Sequence, residues 1–503
     1  MGARKKAMRP AVRALISGVF AFGLAAARAG VSAAAPSPAG LQLSPCELEH
    51  PLRLTVVAAQ CGWLSVAESP QDPAGRHIRL RVARVPAISR DRRPDPLFVL
   101  AGGPGMAATT FYASAAGMFA RVHRDRDIVL VDQRGTGASN PLDCREGEDL
   151  LYRASDAELA ADTARCLASL QARANVADYT TSVAVRDLDE VRAALGYQRI
   201  DLYGGSYGTR VAQHYLRRFP GRVRALILDG VVPVGRAIGP DTPLDAESAL
   251  AAIFARCAHD EACGRRFGDP AATYRRVRAA LAVRPVPVSA TDPTSGAPQQ
   301  LEFGEYQLAT VLRLVSYTSE YAALLPLLLD EGARADYAPL AAQFLLASRE
   351  YGEVLALGMH NSVVCTEDVP FYDSRSIDRA RLARTFLGTA QLDGLATLCR
   401  IWPRGLMDPD LHAPLASEVP ALLLSGSDDP VTPPRYAAEA ARGLPNSLSI
   451  VLAGFGHGQL TAPCMDRVLA AFLERASVRG LDIACTRDAR PMPFFTSVNG
   501  PAP

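Results

Sequence analysis

Lysine is almost absent from this sequence of 503 residues, since Lys5 and Lys6 are the only two. Both lie in a basic N-terminal segment that we expect to be removed from the mature protein. Without them the chain has no lysine for a Schiff base, a Ser-Lys pair or a phosphate-binding P-loop. These three kinds of catalytic site are therefore excluded for the mature chain.

An excess of positive charge is also missing. The formal net charge is +2, and residues 1–29 carry six basic residues and no acid, so subtracting six from +2 leaves −4 for the remainder. Because phosphate binding requires a basic surface, we expect no nucleic-acid partner. The hydrophobic fraction of 49% and the charged fraction of 21% also exclude a disordered chain.

Hydrophobic runs long enough to span a membrane are absent as well. The uncharged run Ala14–Ala27 has 14 residues, whereas a spanning helix needs ~20. It follows basic residues and ends at the small-residue site Ala27-Arg28-Ala29, the pattern of a secretory signal peptide. We predict a signal peptide over residues 1–29, export to the periplasm or the extracellular space, and no stable membrane anchor. A retained anchor is the alternative.

All ten cysteines follow the predicted signal peptide, and an even number in an oxidising compartment favours disulfides. Ten cysteines allow on the order of 900 pairings, so the connectivity is open. The spacing favours neighbouring pairs: Cys46–Cys61, Cys144–Cys166, Cys257–Cys263, Cys365–Cys399 and Cys464–Cys485. Buried free thiols and a zinc site are the alternatives, but the sequence has no C-x-x-C or H-x-x-x-H pattern, and we expect no metal.

Short apolar runs that end in glycine-rich loops recur along the chain. Leu97–Leu100 precedes AGGPG, Ile128–Val131 precedes DQRGTG, and Ile200–Tyr203 precedes GGSYG, with similar runs near positions 225, 421 and 448. Helical patterns lie between them. This alternation predicts the α/β class with a mostly parallel, doubly wound sheet, in which ligands bind at the carboxyl ends of the strands.

The alternation is interrupted between residues 236 and 412. This stretch contains a proline-rich segment at 284–298 and is otherwise helical in pattern. We interpret it as a mainly helical cap domain inserted over the catalytic edge of the sheet. The predicted organisation is a signal peptide (1–29), a first core part (30–235), the cap insertion (236–412) and a second core part (413–503).

Ser206 lies at the centre of GGSYG, which has the form G-x-S-x-G between a predicted strand and a predicted helix, the context of a nucleophile elbow. A serine hydroxyl needs a base to accept its proton and a third group to orient that base. His457, in a glycine-rich loop after a late strand, is the candidate base. Asp429 is the candidate orienting acid, preferred over Asp428, which we expect to cap or solvate its turn. A plain Gly/Ser turn and a surface histidine are the alternatives.

The transition state of acyl transfer also requires N–H donors for its oxyanion. The N–H of Tyr207, directly after Ser206, is one candidate. The loop after Leu100 supplies the other, for which Gly103 is preferred over Gly102. This loop has neither a GK[ST] nor a G-x-G-x-x-G pattern and is not predicted to bind phosphate.

Six motifs, in this order, resemble the α/β-hydrolase serine peptidases of the proline iminopeptidase and tripeptidyl aminopeptidase group: GGPG (102–105), DQRGTGAS (132–139), YGGSYGT (203–209), LDG (228–230), DPVTPP (429–434) and GHG (456–458). The resemblance runs from about residue 96 to the C-terminus. Three further features are similar to the exported tripeptidyl-type branch. They are the segments VVCTEDVPF and LCRIWP, and Ala101 at a position where proline iminopeptidases usually carry His. The resemblance implies an α/β-hydrolase fold and an exopeptidase without cofactor, which removes residues or short peptides from substrates with a free N-terminus.

In that family, acidic groups of the cap region hold the ammonium group of the substrate. Glu367 and Asp368 are the candidates for this role, and the alternative is that they are solvated loop acids. Four aromatic residues are candidates for an apolar subsite, or else belong to the core: Tyr317, Tyr321, Phe371 and Trp402. Two other functions stay open, a carboxylesterase-type acyl hydrolase and an inactive scaffold that acts as a binding protein.

Overall fold

The computed structural model describes residues 41–144 and 155–502, except for the side chains of residues 350–353. The predicted signal peptide lies outside the described residues. The strands are β1 (Ser44–Glu49), β2 (Val56–Ala67), β3 (His77–Val85), β4 (Leu97–Leu100), β5 (Ile128–Val131), β6 (Ile200–Gly205), β7 (Val223–Asp229), β8 (Val286–Thr291), β9 (Pro298–Phe303), β10 (Ala421–Gly426), β11 (Ser447–Leu452), β12 (Phe495–Ser497) and β13 (Gly500–Pro501).

The helices of the described residues follow in chain order. They are α1 (Ala108–Ala115), α2 (Ala120–Asp125), α3 (Asp156–Gln171), α4 (Thr181–Ala194), α5 (Tyr207–Arg218), α6 (Thr242–His259), α7 (Glu261–Phe267), α8 (Pro270–Val283), α9 (Glu305–Val315), α10 (Ser319–Ala322), α11 (Leu325–Ala333), α12 (Ala338–Val354), α13 (Leu357–Glu367), α14 (Arg379–Leu382), α15 (Ala390–Cys399), α16 (Pro434–Ala441) and α17 (Met465–Arg475).

Nine strands form one sheet in the order β1-β2-β3-β5-β4-β6-β7-β10-β11. The strands from β5 to β11 in this order are paired in parallel. At the other edge, β1, β2, β3 and β5 are paired antiparallel. The carboxyl ends of β4, β6, β7, β10 and β11 therefore meet at one edge of the sheet, which is where the glycine-rich loops lie.

The central strands are buried on both faces because helices cover both sides of the sheet. On β4, Phe98 and Leu100 pack into one hydrophobic cluster with α4 and α5, whereas Leu97 and Val99 pack into another with α1, α2 and α17. Successive side chains of a strand point to opposite faces. This explains why β4 is a continuous apolar run, and the predicted α/β class with a mostly parallel sheet is confirmed.

The stretch between β7 and β10 adds no strand to the nine-stranded sheet. It contains α6 to α15 and a hairpin of β8 and β9, which begins in the proline-rich segment. Helices α6 to α12 share a third hydrophobic cluster that includes Phe254, Leu312 and Phe344, whereas α13 and α15 pack into the first cluster with the sheet. This composition fits a mainly helical insertion, while the domain boundaries at residues 236 and 412 stay a prediction.

All ten cysteines form disulfides, and these join the neighbouring pairs named above: Cys46–Cys61, Cys144–Cys166, Cys257–Cys263, Cys365–Cys399 and Cys464–Cys485. Cys46–Cys61 links β1 to β2, and Cys365–Cys399 links α13 to α15. Within residues 41–144 and 155–502, no helix has the length and apolar character needed to cross a membrane.

Candidate active site

Ser206 occupies a tight turn between β6 and α5. Its backbone has φ 54° and ψ −123°, a region that costs a non-glycine residue about 1–3 kcal/mol. The neighbouring glycines are required by close approach, because a Cβ on Gly204 would lie 2.4 Å from the carbonyl oxygen of Gly208 and one on Gly208 would lie 2.4 Å from that of Leu100. The Ser206 N–H donates to the carbonyl of Asp229 (2.8 Å). The GGSYG sequence thus fixes the serine at the carboxyl edge of the sheet.

His457 and Asp429 are brought together from the loops after β11 and β10. Nδ1 of His457 lies 2.8 Å from Oδ2 of Asp429 and 3.0 Å from Oγ1 of Thr432. The carboxylate of Asp429 also accepts the N–H groups of Val431 and Thr432 (2.8 Å each) and the Thr432 hydroxyl (2.8 Å). Asp429 is therefore held rigidly as the hydrogen-bond partner of the imidazole.

The electrostatics of this pair favour an imidazole that accepts a proton. Burial lowers the pKa of His457, but the Asp429 carboxylate and, more weakly, Asp229 outweigh it and raise that pKa above its ordinary value. Burial raises the pKa of Asp429, yet the charge of His457 and the hydrogen bonds keep it below its usual range. The carboxylate therefore stays ionised and stabilises the imidazolium.

Asp428 does not share this arrangement. It accepts a hydrogen bond from the Ser427 hydroxyl (2.8 Å), and its other oxygen lies 3.5 Å from Nε of Arg256. Of the two adjacent acids, the structure therefore places only Asp429 on His457.

Ser206, His457, Gly102 and Gly103 line one cavity of about 420 Å³. A Cβ on Gly102 would lie 3.0 Å from the Cβ of Ser206, so this loop approaches the serine closely. Tyr207 is the first residue of α5, and the first N–H groups of a helix have no partner within the helix. In the described structure no hydrogen bond joins Ser206 to His457. No described cluster of three His, Cys, Asp or Glu residues could hold a metal ion.

Tyr317, from the segment between α9 and α10, fixes the position of the histidine loop. Its carbonyl accepts the N–H of His457 (2.5 Å), and its ring packs edge-on against the imidazole with centroids 5.6 Å apart. Tyr317 and Tyr321 both line the cavity. Phe371 and Trp402 do not, because Phe371 packs on His412 and Trp402 is buried with its Nε1–H donated to Ser362.

Asp229 is a feature of the cavity that the sequence prediction missed. It ends β7 inside the LDG motif, and its carboxylate accepts the Tyr203 hydroxyl (2.9 Å) and, with both oxygens, the N–H of Gln459 (2.9 Å). Burial raises the pKa of Asp229 to about 6. An acid at the carboxyl end of a central strand is the signal that could have identified it.

Glu367 and Asp368 do not lie where the predicted ammonium site requires them. Both are fully buried and surround Arg210, which donates to both oxygens of Asp368 (2.8 and 3.1 Å) and lies 3.7 Å from Glu367. Glu367 also accepts the N–H and hydroxyl of Thr181 (2.7 Å each). Neither residue lines the cavity of Ser206. The expected contact with a substrate amine is therefore corrected: these acids belong to an internal ion cluster, and they are not solvated loop acids either.

Comparison with known proteins agrees with the fold. Residues 95–255 match a family model described as the alpha/beta hydrolase fold, and residues 384–485 match one described as TAP-like protein. The chain has the α/β-hydrolase fold.

Three named relatives are similar to most of this chain. Serine protease Hip1 of Mycobacterium tuberculosis (strain ATCC 25618 / H37Rv) is 27% identical over 474 residues, which cover 86% of this chain and 88% of that protein. Tripeptidyl aminopeptidase of Streptomyces coelicolor is 26% identical over 501 residues, with coverage of 92% and 89%. Carboxylesterase B of Mycobacterium tuberculosis (strain CDC 1551 / Oshkosh) is 29% identical over 420 residues, with coverage of 77% and 78%. The chain is a serine hydrolase whose relatives include the tripeptidyl aminopeptidase-like proteins.

Proposed function

We propose that Ser206, His457 and Asp429 form a catalytic triad that hydrolyses peptides from their free N-terminus. The observation that carries this proposal is the hydrogen bond between His457 and Asp429 at the edge of a cavity that also exposes Ser206. Catalytic hydrogen bonds of free enzymes are often long and shorten when the substrate binds. Contact between the Ser206 hydroxyl and His457 is therefore expected in the substrate complex.

The reaction follows from these positions. Nε2 of His457 accepts the proton of the Ser206 hydroxyl while its oxygen attacks the scissile carbonyl carbon. The N–H groups of Gly103 and Tyr207 donate to the resulting oxyanion, each contributing about 3–4 kcal/mol by analogy with comparable sites. His457 then protonates the leaving amine, the C–N bond breaks, and an acyl-enzyme remains. A water molecule, deprotonated by His457, releases the acyl group and restores Ser206.

The exopeptidase specificity rests on the relatives, since one is named tripeptidyl aminopeptidase and another serine protease. We place residues 236–412 over the site as a cap that limits access to long chains. The five disulfides favour an oxidising compartment, so we also propose that the protein is exported to the periplasm or the extracellular space.

A carboxylesterase-type activity is the second candidate. It is favoured by the largely apolar lining of the cavity and by the relative named carboxylesterase B. The same triad attacks esters and amides, so the substrate decides between the two functions.

A panel of chromogenic substrates tests the proposal: anilides of Leu, Ala and Ala-Ala-Pro with free and acetylated N-termini, beside a short acyl ester. We expect hydrolysis of the free-amine anilides and loss of activity on acetylation. Ser206→Ala should reduce kcat about 10⁴-fold or more, whereas the exposed Ser114→Ala on α1 serves as the matched control and should leave it unchanged. Hydrolysis confined to the ester would establish the esterase instead.

A further inference from the structure

The walls of the cavity beside Ser206 are apolar on several sides. Their side chains come from the loop after β4 and α1, from the segment from α9 to α10, and from the middle of α12. Examples are Met106, Phe111, Leu314, Val315, Leu346 and Ala347. Leu355 stands on the Gly103 side, since its Cδ2 lies 3.1 Å from the place of a Cβ on Gly103. Tyr317 stands on the His457 side. A substrate group that reaches Ser206 is thus enclosed by hydrocarbon.

The described side chains of the lining offer no counter-charge to an anionic ligand group, and the one carboxylate among them is almost wholly buried. They include no arginine or lysine and one carboxylate, Asp229. That carboxylate is already bound to the Tyr203 hydroxyl and the Gln459 N–H, and His457 is bound to Asp429. Because burying an unpaired charge is costly, a charged side chain is disfavoured in this cavity. Thr318 and Gln343 add neutral oxygen atoms that suit an α-amino group.

The two parts of a peptide substrate make different demands on space. In an exopeptidase acting from the N-terminus, the leaving peptide has no fixed length and has to reach solvent, whereas the acyl part is short. A cavity of about 420 Å³ lies within the range of sites that enclose small ligands. The acyl part is therefore the group that these walls surround.

We propose that the acyl group transferred to Ser206 carries a large apolar side chain, of the size of Leu, Met or Phe, next to the scissile bond. This inference rests on the proposed role of Ser206. Small side chains leave the cavity partly unfilled, and charged ones lose their hydration without gaining a partner. The site therefore discriminates by apolar contact rather than by ion pairing.

A series of anilides that carry a free α-amino group and differ in one side chain tests this proposal. We expect kcat/KM for Leu and Phe to exceed that for Ala by about tenfold or more, because one methylene in an apolar pocket already contributes about tenfold. Asp and Lys should lie below Ala. A value for Asp or Lys equal to that for Leu would overturn the proposal. If only esters are cleaved, the same comparison applies to p-nitrophenyl acetate and hexanoate, and a preference for acetate would overturn it.

Two variants on α12 link the preference to the cavity. Ala347 lines the cavity, whereas Ala342, on the same helix, does not. Ala347→Phe should abolish the advantage of Leu over Ala, and Ala342→Phe should retain it. Equal behaviour of the two variants would contradict the assignment of this wall.

Labelling of Ser206 by a fluorophosphonate counts the folded active sites in each sample and separates the two failures. Absence of labelling in the unmodified protein would refute the role of Ser206. Labelling combined with a preference for charged substrates would refute the apolar pocket and leave the role of Ser206 intact.

Discussion

Two groups of buried carboxylates in this protein have opposite surroundings. Asp429 is hydrogen-bonded to His457, and that imidazole lines the cavity of Ser206. Glu367 and Asp368 instead surround Arg210 and are away from the cavity. Burial raises the pKa of Glu367 to about 7 and that of Asp229 to about 6, so strongly shifted acids lie both in the internal cluster and at the site. A shifted pKa identifies a functional group only where the group faces a space that a substrate enters.

The Asp429→Asn variant gives the largest expected effect. Asn stabilises the imidazolium poorly and favours the wrong tautomer, so kcat should fall about 10⁴-fold, as in comparable triads. The measurement is kcat on the best anilide of the panel. Asp428→Asn is the matched control and should retain activity within a few-fold. Equal losses in the two variants would contradict the assignment of Asp429.

Arg210→Met probes the internal cluster. It leaves Glu367 and Asp368 without their buried cation, so we expect a loss of about 3–5 kcal/mol in the free energy of unfolding. Urea unfolding measures this loss. The exposed Arg222→Met should change stability by about 0.5 kcal/mol or less. An Arg210→Met variant as stable as this control would show that the ion cluster contributes nothing to the free energy of unfolding.

Glu367→Gln should alter how stability depends on pH. The folded protein keeps the proton on Glu367 up to about pH 7, whereas the unfolded chain releases it near pH 4.5. The folded state thus binds more protons in this window, and its stability falls as pH rises, by at most about 1.4 kcal/mol per pH unit from this group. Relative to the urea midpoint of the Gln variant, the midpoint of the unmodified protein should fall as the pH rises from about 4.5 to about 7. Parallel curves for the two proteins would contradict this coupling.

Asp229→Asn should have the smallest effect, a shift of the pH profile. Asp429 and Asp229 raise the pKa of His457, while burial and Arg313 lower it. The base form of His457 is required, so activity rises with pH through this pKa. Removing the charge of Asp229 lowers the pKa, and the acid limb of kcat/KM should move to lower pH. Asn keeps an oxygen atom that accepts the Gln459 N–H. An acid limb that stays in place or moves to higher pH would show that Asp229 does not raise the pKa of His457.

The sequence predicted those parts of the fold that depend on local patterns. The apolar runs at Leu97–Leu100 and Ile128–Val131 are strands covered on both faces, and Gly204 and Gly208 are required by backbone contacts less than 3 Å away. Such signals lie within a few residues of one another. The order of the serine, the acid and the histidine was predictable for the same reason, because each follows its own strand.

Contacts between distant segments were not predictable. Glu367 follows Cys365 closely, but its partners Arg210 and Thr181 lie more than 150 residues earlier, and nothing in the local sequence shows on which side of α13 the carboxyl group lies. Asp229 was missed because Tyr203 and Gln459 approach it only in the folded chain. The direction of a side chain at the end of a helix or strand depends on packing that one sequence does not contain.

The most direct test of the triad is labelling with a fluorophosphonate, followed by mass spectrometry of the labelled peptide. We expect one adduct, on Ser206, with a labelling rate that falls strongly in His457→Gln and in Asp429→Asn. Labelling of another residue, or an unchanged rate in both variants, would contradict the proposal that His457 and Asp429 activate Ser206.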